Sequence, residues 1–336
     1  MKPKLLVVEL WQLGDLVIAT PFLNAASQKY DVTLLAKPYA ADLQRRLWSG
    51  VRVVPFIAPW TAFSFSDKYQ LLAWPWRRIF QLHRELGSQS FDFGLSARWD
   101  PRDHLLLRIA GVKNRMGFPR IGSQTLLTRP LARPEPQAHR YDYWRVVGQA
   151  LGLNLPPREE LTLPHSHPEG GVLVHTGARQ AVRVWPLGRY RQIVSRLRQA
   201  GYQVKVACDP DQKDWWTQTG ETNLAAPRTV SELLAIIDEA GAFIGNDSGP
   251  GNIAAFCGVP TFTLFGPQLP EWWAPLHPAS EWLPGKACPY KPCSDYCRFP
   301  APICMTNQQV DEVWEAVSAF LRRNLRVRAP VPPAVT

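Results

Sequence analysis

Apolar runs of strand length alternate with amphipathic helical segments along this chain. Residues 4–10 (KLLVVEL) are apolar apart from one acid, which is typical of a strand buried on both faces of a parallel sheet. A glycine turn and an amphipathic helix come directly after this first strand. The same pattern predicts strands at 30–35, 51–57 and 91–95, and a helix at 104–110. Strands alternating with helices in this way predict a doubly wound α/β domain.

The alternation starts again at residue 171. The intervening residues 151–170 are rich in Pro and polar residues, and they are predicted to form an interdomain linker. The second series has predicted strands at 171–175, 202–207, 242–245 and 261–265 and predicted helices at 187–200, 229–240, 249–257 and 309–325. We therefore expect two similar domains facing a cleft, with ligands at the carboxyl ends of the strands. The expected boundaries are 1–160, 171–308 and a C-terminal helix and tail at 309–336, the tail being disordered or draped from residue 326.

The composition excludes several classes of protein. With 46% hydrophobic and 20% charged residues, the 336-residue chain is not mainly disordered, collagenous or coiled coil. No apolar stretch approaches the ~20 residues of a membrane-spanning helix. Glu9 and Asp15 interrupt the apolar start, so we expect the buried first strand of a cytoplasmic protein there rather than a signal peptide.

The positive charge is concentrated in the first half. Residues 1–160 contain 22 Lys and Arg against 13 Asp and Glu, whereas residues 161–336 contain 16 against 15. This asymmetry indicates either an anionic partner for the first half or a merely soluble basic surface.

Three segments carry the candidate chemistry. In the first, Gly14 and Asp15 come soon after the first strand, so the Asp15 carboxylate can take a proton from a substrate hydroxyl or simply cap a helix. In the second, the strand 171–175 leads into a small-residue loop with two arginines, which is the layout of a phosphate site. Its candidate residues are Thr176, Gly177, Ala178, Arg179 and Arg183. Two exposed arginines on an ordinary loop would look the same, and no Walker A or GxGxxG motif is present.

The third segment is 245–255 (GNDSGPGNIAA), a polar strand end leading into glycines and a small-residue helix. Such a helix N-terminus suits an anion, and Asp247 suits sugar hydroxyls, although Asp247 and Ser248 could also act only as helix caps. Its candidate residues are Asp247, Ser248, Gly249, Pro250 and Asn252.

These motifs together resemble the ADP-heptose:lipopolysaccharide heptosyltransferases, which form glycosyltransferase family 9. The similarity rests on ELWQLGDLVIATPFL, on FDFGLSARWDPRDHLLLRIAGVKNRMGF, on RVWP after HTGAR and on NDSGPGNIAAFCGVPTFTLFG, in that order. The resemblance implies a GT-B fold, with an acceptor-binding first domain and an ADP-sugar-binding second domain. It also implies heptose transfer with inversion at the anomeric carbon and no metal required for catalysis.

The resemblance assigns roles to several residues. Asp15 matches the proposed general base, and Arg183 would neutralise the charge growing on the departing ADP. Gly14, the 176–179 loop and the Asp247–Asn252 motif would line the donor, and Asp211 would meet its ribose. Two positions depart from the family pattern, because Arg183 replaces the usual Lys and Asn252 the usual His. Another nucleotide sugar, or transfer to another glycan or to a protein, therefore remains an alternative. Alternatives of another class are a non-catalytic nucleotide-sugar-binding protein and a nucleic-acid-binding protein that uses the basic first half.

The expected acceptor is the anionic inner core of lipopolysaccharide on its lipid anchor. Its anionic groups would meet basic residues of the first half, namely Arg98, Arg102, Lys113, Arg115 and Arg120. The aromatic and basic stretch 60–80 would suit peripheral contact with the inner membrane, a core helix with a basic rim, or stacking on nucleic acid. No nucleic-acid-binding signature accompanies it, so we expect no nucleic-acid partner.

Four of the six cysteines fall close together, at Cys288, Cys293, Cys297 and Cys304. Four such thiols can bind a structural Zn or Fe, pair as two disulfides or remain free. A cytoplasmic location argues against disulfides. Some members of the resembled family carry a similar segment, and a protein-glycosylating branch has an iron-binding cysteine finger.

Overall fold

The computed structural model describes residues 2–61, 75–161, 163, 167 and 169–325. The chain divides into two compact units, Met1–Pro157 and Arg158–Thr336. Within the described residues, no helix is both long and apolar enough to cross a bilayer.

The first unit contains a six-stranded, wholly parallel sheet with the strand order β3-β2-β1-β4-β5-β6. Its strands are β1 (Lys4–Glu9), β2 (Asp31–Ala36), β3 (Val51–Pro55), β4 (Phe93–Ser96), β5 (Asn114–Gly117) and β6 (Arg129–Pro130). The described helices of this unit are α1 (Leu13–Ile18), α2 (Thr20–Lys29), α3 (Ala40–Leu47), α4 (Trp76–Gly87), α5 (Pro101–Ile109) and α6 (Arg140–Ala150).

The second unit repeats the architecture, with the strand order β12-β11-β10-β7-β8-β9, again wholly parallel. Its strands are β7 (Gly171–His175), β8 (Val204–Ala207), β9 (Leu224–Ala225), β10 (Ala240–Asn246), β11 (Thr261–Leu264) and β12 (Glu281–Leu283). Its described helices are α7 (Leu187–Gln199), α8 (Lys213–Gln218), α9 (Val230–Ile237), α10 (Gly249–Phe256), α11 (Pro270–Trp273), α12 (Ile303–Thr306) and α13 (Val310–Asn324). Helix α13 packs into the core of this unit through Val313, Val317, Phe320 and Leu321.

Burial explains why the strands could be predicted from the sequence. Five of the six residues of β1 and all seven residues of β10 are buried, because helices cover both faces of each sheet. The strand order reverses between β1 and β4 in the first unit and between β7 and β10 in the second. In doubly wound sheets, ligands bind where the order reverses, so the loops after these four strands are where a site is expected.

Some sequence predictions differ from the structure. The expected linker 151–170 is not a linker at its start, because Leu151, Leu153 and Leu155 are buried. The hydroxyls of Tyr30 and Tyr141 donate to carbonyls of this segment, at Leu151 and Pro156, and so hold it against the first unit. The helix expected at 104–110 begins earlier, at Pro101, because the Asp100 side chain caps it. The tail from residue 326 lies outside the described residues.

The aromatic stretch 60–80 is only partly described. Trp60 is 6% exposed and belongs to a core cluster, so the expectation of membrane contact is wrong for this residue. Residues 62–74, with Phe63, Phe65, Lys68 and Trp74, lie outside the described residues. On α4, Leu82 and Leu86 are buried, whereas Trp76 and Phe80 are 43% and 63% exposed.

Candidate active site

Asp15 lies one short turn beyond the end of β1. It is the third residue of α1, and its Oδ2 accepts from the backbone N–H of Gln12 at 3.3 Å, which completes a capping box. Gly14 precedes it in the first turn of the same helix. Asp15 is therefore a helix cap, as one interpretation of the sequence expected, but its other carboxylate oxygen has different partners.

Two arginines converge on Asp15 Oδ1. Arg98, from the loop after β4, donates from Nη1 at 2.6 Å, and its guanidinium stacks over the Trp11 ring at 4.3 Å. Arg140, the first residue of α6, places Nε 3.5 Å from the same oxygen. The Asp15 side chain keeps only 9% of its surface exposed. The end of β1 and the start of the β4 loop thus meet at the sheet position where the strand order reverses.

Arg140 joins this cluster to a second buried acid, Glu9, that was not among the residues predicted from the sequence. Its Nη2 lies 3.5 Å from Glu9 Oε2, and its Nη1 donates to the Ala97 carbonyl at 2.6 Å. Burial raises the pKa of Glu9, and Arg140 partly offsets this rise. Burial, together with repulsion from Arg98, lowers the pKa of Arg140 to about 10. The only sequence signal for this pair was an acid inside an otherwise apolar strand.

Beneath the Arg98 loop lies a wholly buried carboxyl, Asp103. Ser96 Oγ donates to Asp103 Oδ2 at 3.0 Å and accepts from the backbone N–H of Arg98 at 3.1 Å. Burial, together with repulsion from Asp100 and Glu9, raises the pKa of Asp103 to about 8. Asp103 therefore supports the loop that carries Arg98 to Asp15.

The other arginines expected at the acceptor have different contacts. Arg102 forms two hydrogen bonds with the Asp100 carboxylate, from Nε at 2.8 Å and from Nη2 at 2.6 Å. Arg120 is exposed on the loop after β5. Arg115 donates to the carbonyls of Val112 and Leu126 and so holds local structure. Of the arginines expected at the acceptor, the structure brings Arg98 to Asp15.

In the second unit, buried hydrogen bonds of Thr176 fix the loop after β7. The Thr176 hydroxyl is wholly buried, donating to Gln212 Oε1 at 2.8 Å and accepting from Trp216 Nε1 at 3.2 Å. A Cβ on Gly177 would lie 2.3 Å from Asp209 Oδ1, so a larger residue there would have to displace the Asp209 carboxylate. Ala178 is nearly buried, and Arg179 is exposed.

The acid that contacts this loop is Asp209 rather than Asp211. Asp209 is half-buried against Gly177, and burial, together with repulsion from Asp211, raises its pKa. Asp211 is exposed on the short 3-10 turn Pro210–Gln212. The sequence predicted Asp211 and gave no signal for Asp209, because the fold decides which of two nearby acids turns inward.

The loop after β10 leads into α10. Ser248 is the N-cap, Gly249 and Pro250 form the first turn, and Asn252 is 5% exposed. Among the described residues, the buried Ser248 Oγ and Asn252 Oδ1 have no hydrogen-bonding partner. Unsatisfied polar atoms at a helix N-terminus suit a ligand that brings hydroxyl and phosphate groups.

Asn246, at the end of β10, holds the two loops of this unit together and was not predicted. Its Oδ1 accepts from the Trp185 backbone N–H at 3.0 Å and from the Tyr190 hydroxyl at 2.9 Å. Its Nδ2 donates to the Thr176 carbonyl at 2.9 Å. This wholly buried amide therefore fixes the register of the β7 loop against the β10 loop.

Arg183 lies between two carboxylates. Its Nη1 is 3.0 Å from Asp247 Oδ2 and 3.3 Å from the Asp247 carbonyl. Its Nε and Nη2 donate to the two oxygens of Asp295 at 2.8 and 2.7 Å. Asp247 is among the residues predicted from the sequence, because it comes directly after a strand, whereas Asp295 is not.

The four clustered cysteines line one small cavity of the second unit together with Lys291, Arg298 and apolar side chains. Cys288, Cys293 and Cys297 are half-buried, and Cys304 is buried. All of them are free thiols in the structure, and burial raises the pKa of Cys293 and Cys304. No three His, Cys, Asp or Glu side chains of the described residues lie in a geometry that would hold a metal ion.

Two Rossmann-like units, each with a parallel sheet and these loops, define the GT-B fold of nucleotide-sugar transferases. The family model for glycosyltransferase family 9 (heptosyltransferase) matches residues 79–299. The chain belongs to this family.

Two relatives agree with this assignment. Lipopolysaccharide heptosyltransferase 3 of Escherichia coli K12 is 35% identical over 113 residues, which is 31% of this chain and 33% of the relative, so the match spans about a third of that protein. Lipopolysaccharide heptosyltransferase 1 of Pseudomonas aeruginosa is 23% identical over 95% of this chain and 98% of its own length.

Two solved structures share the fold over nearly the whole chain. Escherichia coli heptosyltransferase WaaC with ADP superposes with a TM-score of 0.72 at 15% identity, covering 96% of this chain and 99% of its own. Escherichia coli ADP-heptose lps heptosyltransferase II gives 0.70 at 15% identity, covering 95% and 99%.

Proposed function

We propose that this protein is an inverting glycosyltransferase that moves heptose from ADP-heptose to a hydroxyl of the lipopolysaccharide inner core. The observation that carries the proposal is the Asp15 carboxylate at the carboxyl end of β1, in a chain that belongs to family 9. A hydroxyl attacks an anomeric carbon poorly unless its proton is removed as the new bond forms, so a fixed carboxylate at this point supplies what the reaction needs.

In the first unit, Asp15 takes the proton of the acceptor hydroxyl. The hydroxyl oxygen forms the new bond to the anomeric carbon, and the bond from that carbon to the β-phosphate oxygen breaks with its electron pair going to ADP. Attack from the face opposite the leaving group inverts the anomeric configuration. Gln12 and Arg98 orient the two carboxylate oxygens through contacts of 3.3 and 2.6 Å.

In the second unit, the protein groups that we propose bind the ADP-sugar are of the kinds that suit a diphosphate and a sugar. Arg183 supplies the positive charge that offsets the charge growing on the departing ADP, and the N-terminus of α10 supplies backbone N–H groups. In this proposal, Asp247, Ser248 and Asn252 meet hydroxyl groups of the donor. Asp209 is a second candidate, beside Asp211, for the ribose hydroxyls, because it lies against the Gly177 loop.

The proposed acceptor explains the basic first half. Arg98, Arg102 and Arg120 would meet carboxylate and phosphate groups of the inner core, Arg98 from the Asp15 site itself. The lipid anchor of the acceptor lies in a membrane, so we also propose a cytoplasmic enzyme in peripheral contact with the inner membrane. The exposed Trp76 and Phe80 on α4, next to Arg77 and Arg78, favour this contact.

A structural Zn or Fe on the four cysteines is part of the proposal. The residue types fit such a metal and all four cysteines line one cavity, but as placed no three of these thiols form a metal-binding geometry, so a bound metal would have to draw them together. The metal would hold the loop in place, and the sugar transfer itself would need none.

The decisive experiment is a transfer assay on a panel of truncated lipopolysaccharides with ADP-heptose. We expect a mass increase of one heptose on at least one acceptor, and Asp15→Asn should abolish most of it. A donor screen with other nucleotide sugars is run in parallel, since Arg183 and Asn252 depart from the family pattern. Transfer from another nucleotide sugar only would replace the heptose assignment.

The membrane contact has its own test. Binding to phosphatidylglycerol-containing vesicles is compared with binding to phosphatidylcholine vesicles at low and high salt. Each cation near an anionic surface contributes about 1 kcal/mol, so binding should require anionic lipid, fade with salt and be lost in Arg77→Glu/Arg78→Glu. Arg45→Glu/Arg46→Glu on α3 is the matched charge control. Equal binding to both vesicle types, or to neither, would remove the membrane contact from the proposal.

A further inference from the structure

The cysteine loop, residues 288–304, contacts the proposed donor site through Asp295. This residue lies between Cys293 and Cys297 in the sequence. Its carboxylate accepts two hydrogen bonds from Arg183, from Nε at 2.8 Å and from Nη2 at 2.7 Å. The two residues are 112 positions apart in the chain. A bidentate pair of this kind fixes the plane of the guanidinium as well as its position.

Arg183 is thereby held from two sides. Asp295 takes one edge, and Asp247 takes Nη1 at 3.0 Å from the loop after β10. The exposed fractions of the Arg183, Asp247 and Asp295 side chains are 23%, 5% and 17%. At such partial burial, a charged pair loses less to solvent screening than one on the open surface.

The Asp295 carboxylate is presented by a tight turn. Ser294 and Asp295 both have positive φ, at 50° and 70°. The backbone N–H of Tyr296 closes this turn by donating to the Cys293 carbonyl at 3.0 Å. The residue that pairs with Arg183 therefore lies in a hydrogen-bonded turn of the cysteine loop.

We propose that Asp295 is a positioning residue that holds the Arg183 guanidinium in the orientation it needs toward the β-phosphate of the donor. This inference rests on the proposed function. A free arginine loses side-chain entropy when it binds a ligand, and Asp295 removes much of that cost before the donor arrives. Asp295 could not fix the orientation of a lysine at position 183 in the same way, because an ammonium group forms no planar pair of hydrogen bonds with a carboxylate.

In this role Asp295 acts through Arg183 and nothing else. Asp295→Ala should lower kcat for transfer about tenfold and weaken ADP binding about three- to tenfold. In an Arg183→Lys background, where the bidentate pair is already lost, the same substitution should change neither quantity by more than about twofold. The matched control is Asp311→Ala, which removes another carboxylate paired with an arginine of this unit, Arg196, at 2.6 Å.

The experiment is a double-mutant cycle on the full-length protein, with kcat and KM from the transfer assay, ADP affinity from calorimetry, and melting temperature for every variant. A merely structural role for Asp295 would lower the melting temperature and persist in the Arg183→Lys background, and this would overturn the proposal. Tighter ADP binding in Asp295→Ala would also overturn it, because it would show that Asp295 only competes with the diphosphate.

Different results would contradict the proposed function and the positioning role of Asp295. If the wild type transfers no sugar from any nucleotide donor, the proposed function fails, while the ADP titrations still test whether Asp295 acts through Arg183. If transfer occurs but the effect of Asp295→Ala is the same with Arg183 and with Lys at 183, the positioning role fails and the proposed function stands.

Discussion

The Arg98 guanidinium donates to the Asp15 carboxylate over 2.6 Å, although the two residues are 83 positions apart in the chain. The contact joins the loop after β4 to the helix after β1, at the point of the sheet where ligands of doubly wound folds bind. It gives the carboxylate a fixed direction, and in the proposed function it leaves Arg98 next to the incoming acceptor. The same oxygen has Arg140 behind it at 3.5 Å, so the site is supported from the interior of the unit.

Asp15→Asn tests the general base. Asparagine keeps the size of the side chain and cannot take a proton, so turnover should fall about 10²–10⁴-fold. ADP affinity, measured by calorimetry, should stay close to wild type because the substitution leaves the proposed diphosphate contacts of Arg183 and α10 unchanged. Turnover near the wild-type rate would remove Asp15 from the mechanism.

Arg140→Met tests the buried network. The substitution leaves Glu9 in the interior without its cation, and breaking a buried pair in this way costs about 3–5 kcal/mol of unfolding free energy. Adding Glu9→Gln should recover part of the loss, since a neutral amide costs less to bury than a carboxylate. Urea unfolding of wild type, single and double variants measures this. A double variant no more stable than Arg140→Met would show that Arg140 is needed chiefly for other contacts.

Arg183→Ala tests the leaving-group cation. We expect weaker ADP binding and a fall in kcat of about 10²–10³-fold, because the charge on the departing diphosphate loses its partner. Brief EDTA treatment should leave the wild-type rate unchanged. A requirement for Mg²⁺ combined with indifference to Arg183 would contradict this role.

Asp103→Asn tests the buried carboxyl beneath Arg98. The pKa of Asp103 is raised from 3.8 to about 8, so between these values the folded chain holds a proton that the unfolded chain has released. Stability must therefore fall as pH rises through this window, by at most about 1.4 kcal/mol per pH unit. Asp103→Asn should remove this slope in urea titrations from about pH 5 to 9, whereas the exposed Asp31→Asn should keep it. The same slope in both variants would assign it to another group.

Elemental analysis tests the cysteine metal. Protein purified without a metal-chelating column should contain about one Zn or Fe per chain, and Cys293→Ser should lose it. Cys208→Ala should keep it, because this buried cysteine is not among the residues that line the cavity. A folded, metal-free protein with four titratable thiols would leave the loop to be held by Asp295 and its other contacts.

The parallel strands and the residues just beyond them could be predicted from the sequence. A strand buried on both faces must be apolar almost throughout, so β1, β7 and β10 stand out in the sequence. Asp15 and Asp247 come just after such strands, and a doubly wound sheet places the loops at its carboxyl edge where ligands bind. Local pattern and general topology were enough for these positions.

The contacts of four further residues could be recognised only in the tertiary structure, namely those of Glu9, Arg140, Asn246 and Asp295. A charge or an amide can be buried only beside a partner that satisfies it, and these partners come from distant parts of the chain. Glu9 and Arg140 are 131 positions apart, and Arg183 and Asp295 are 112 apart. Apart from the acid in the apolar strand β1, no local pattern signals such a pair, because the partners meet only when the chain is folded.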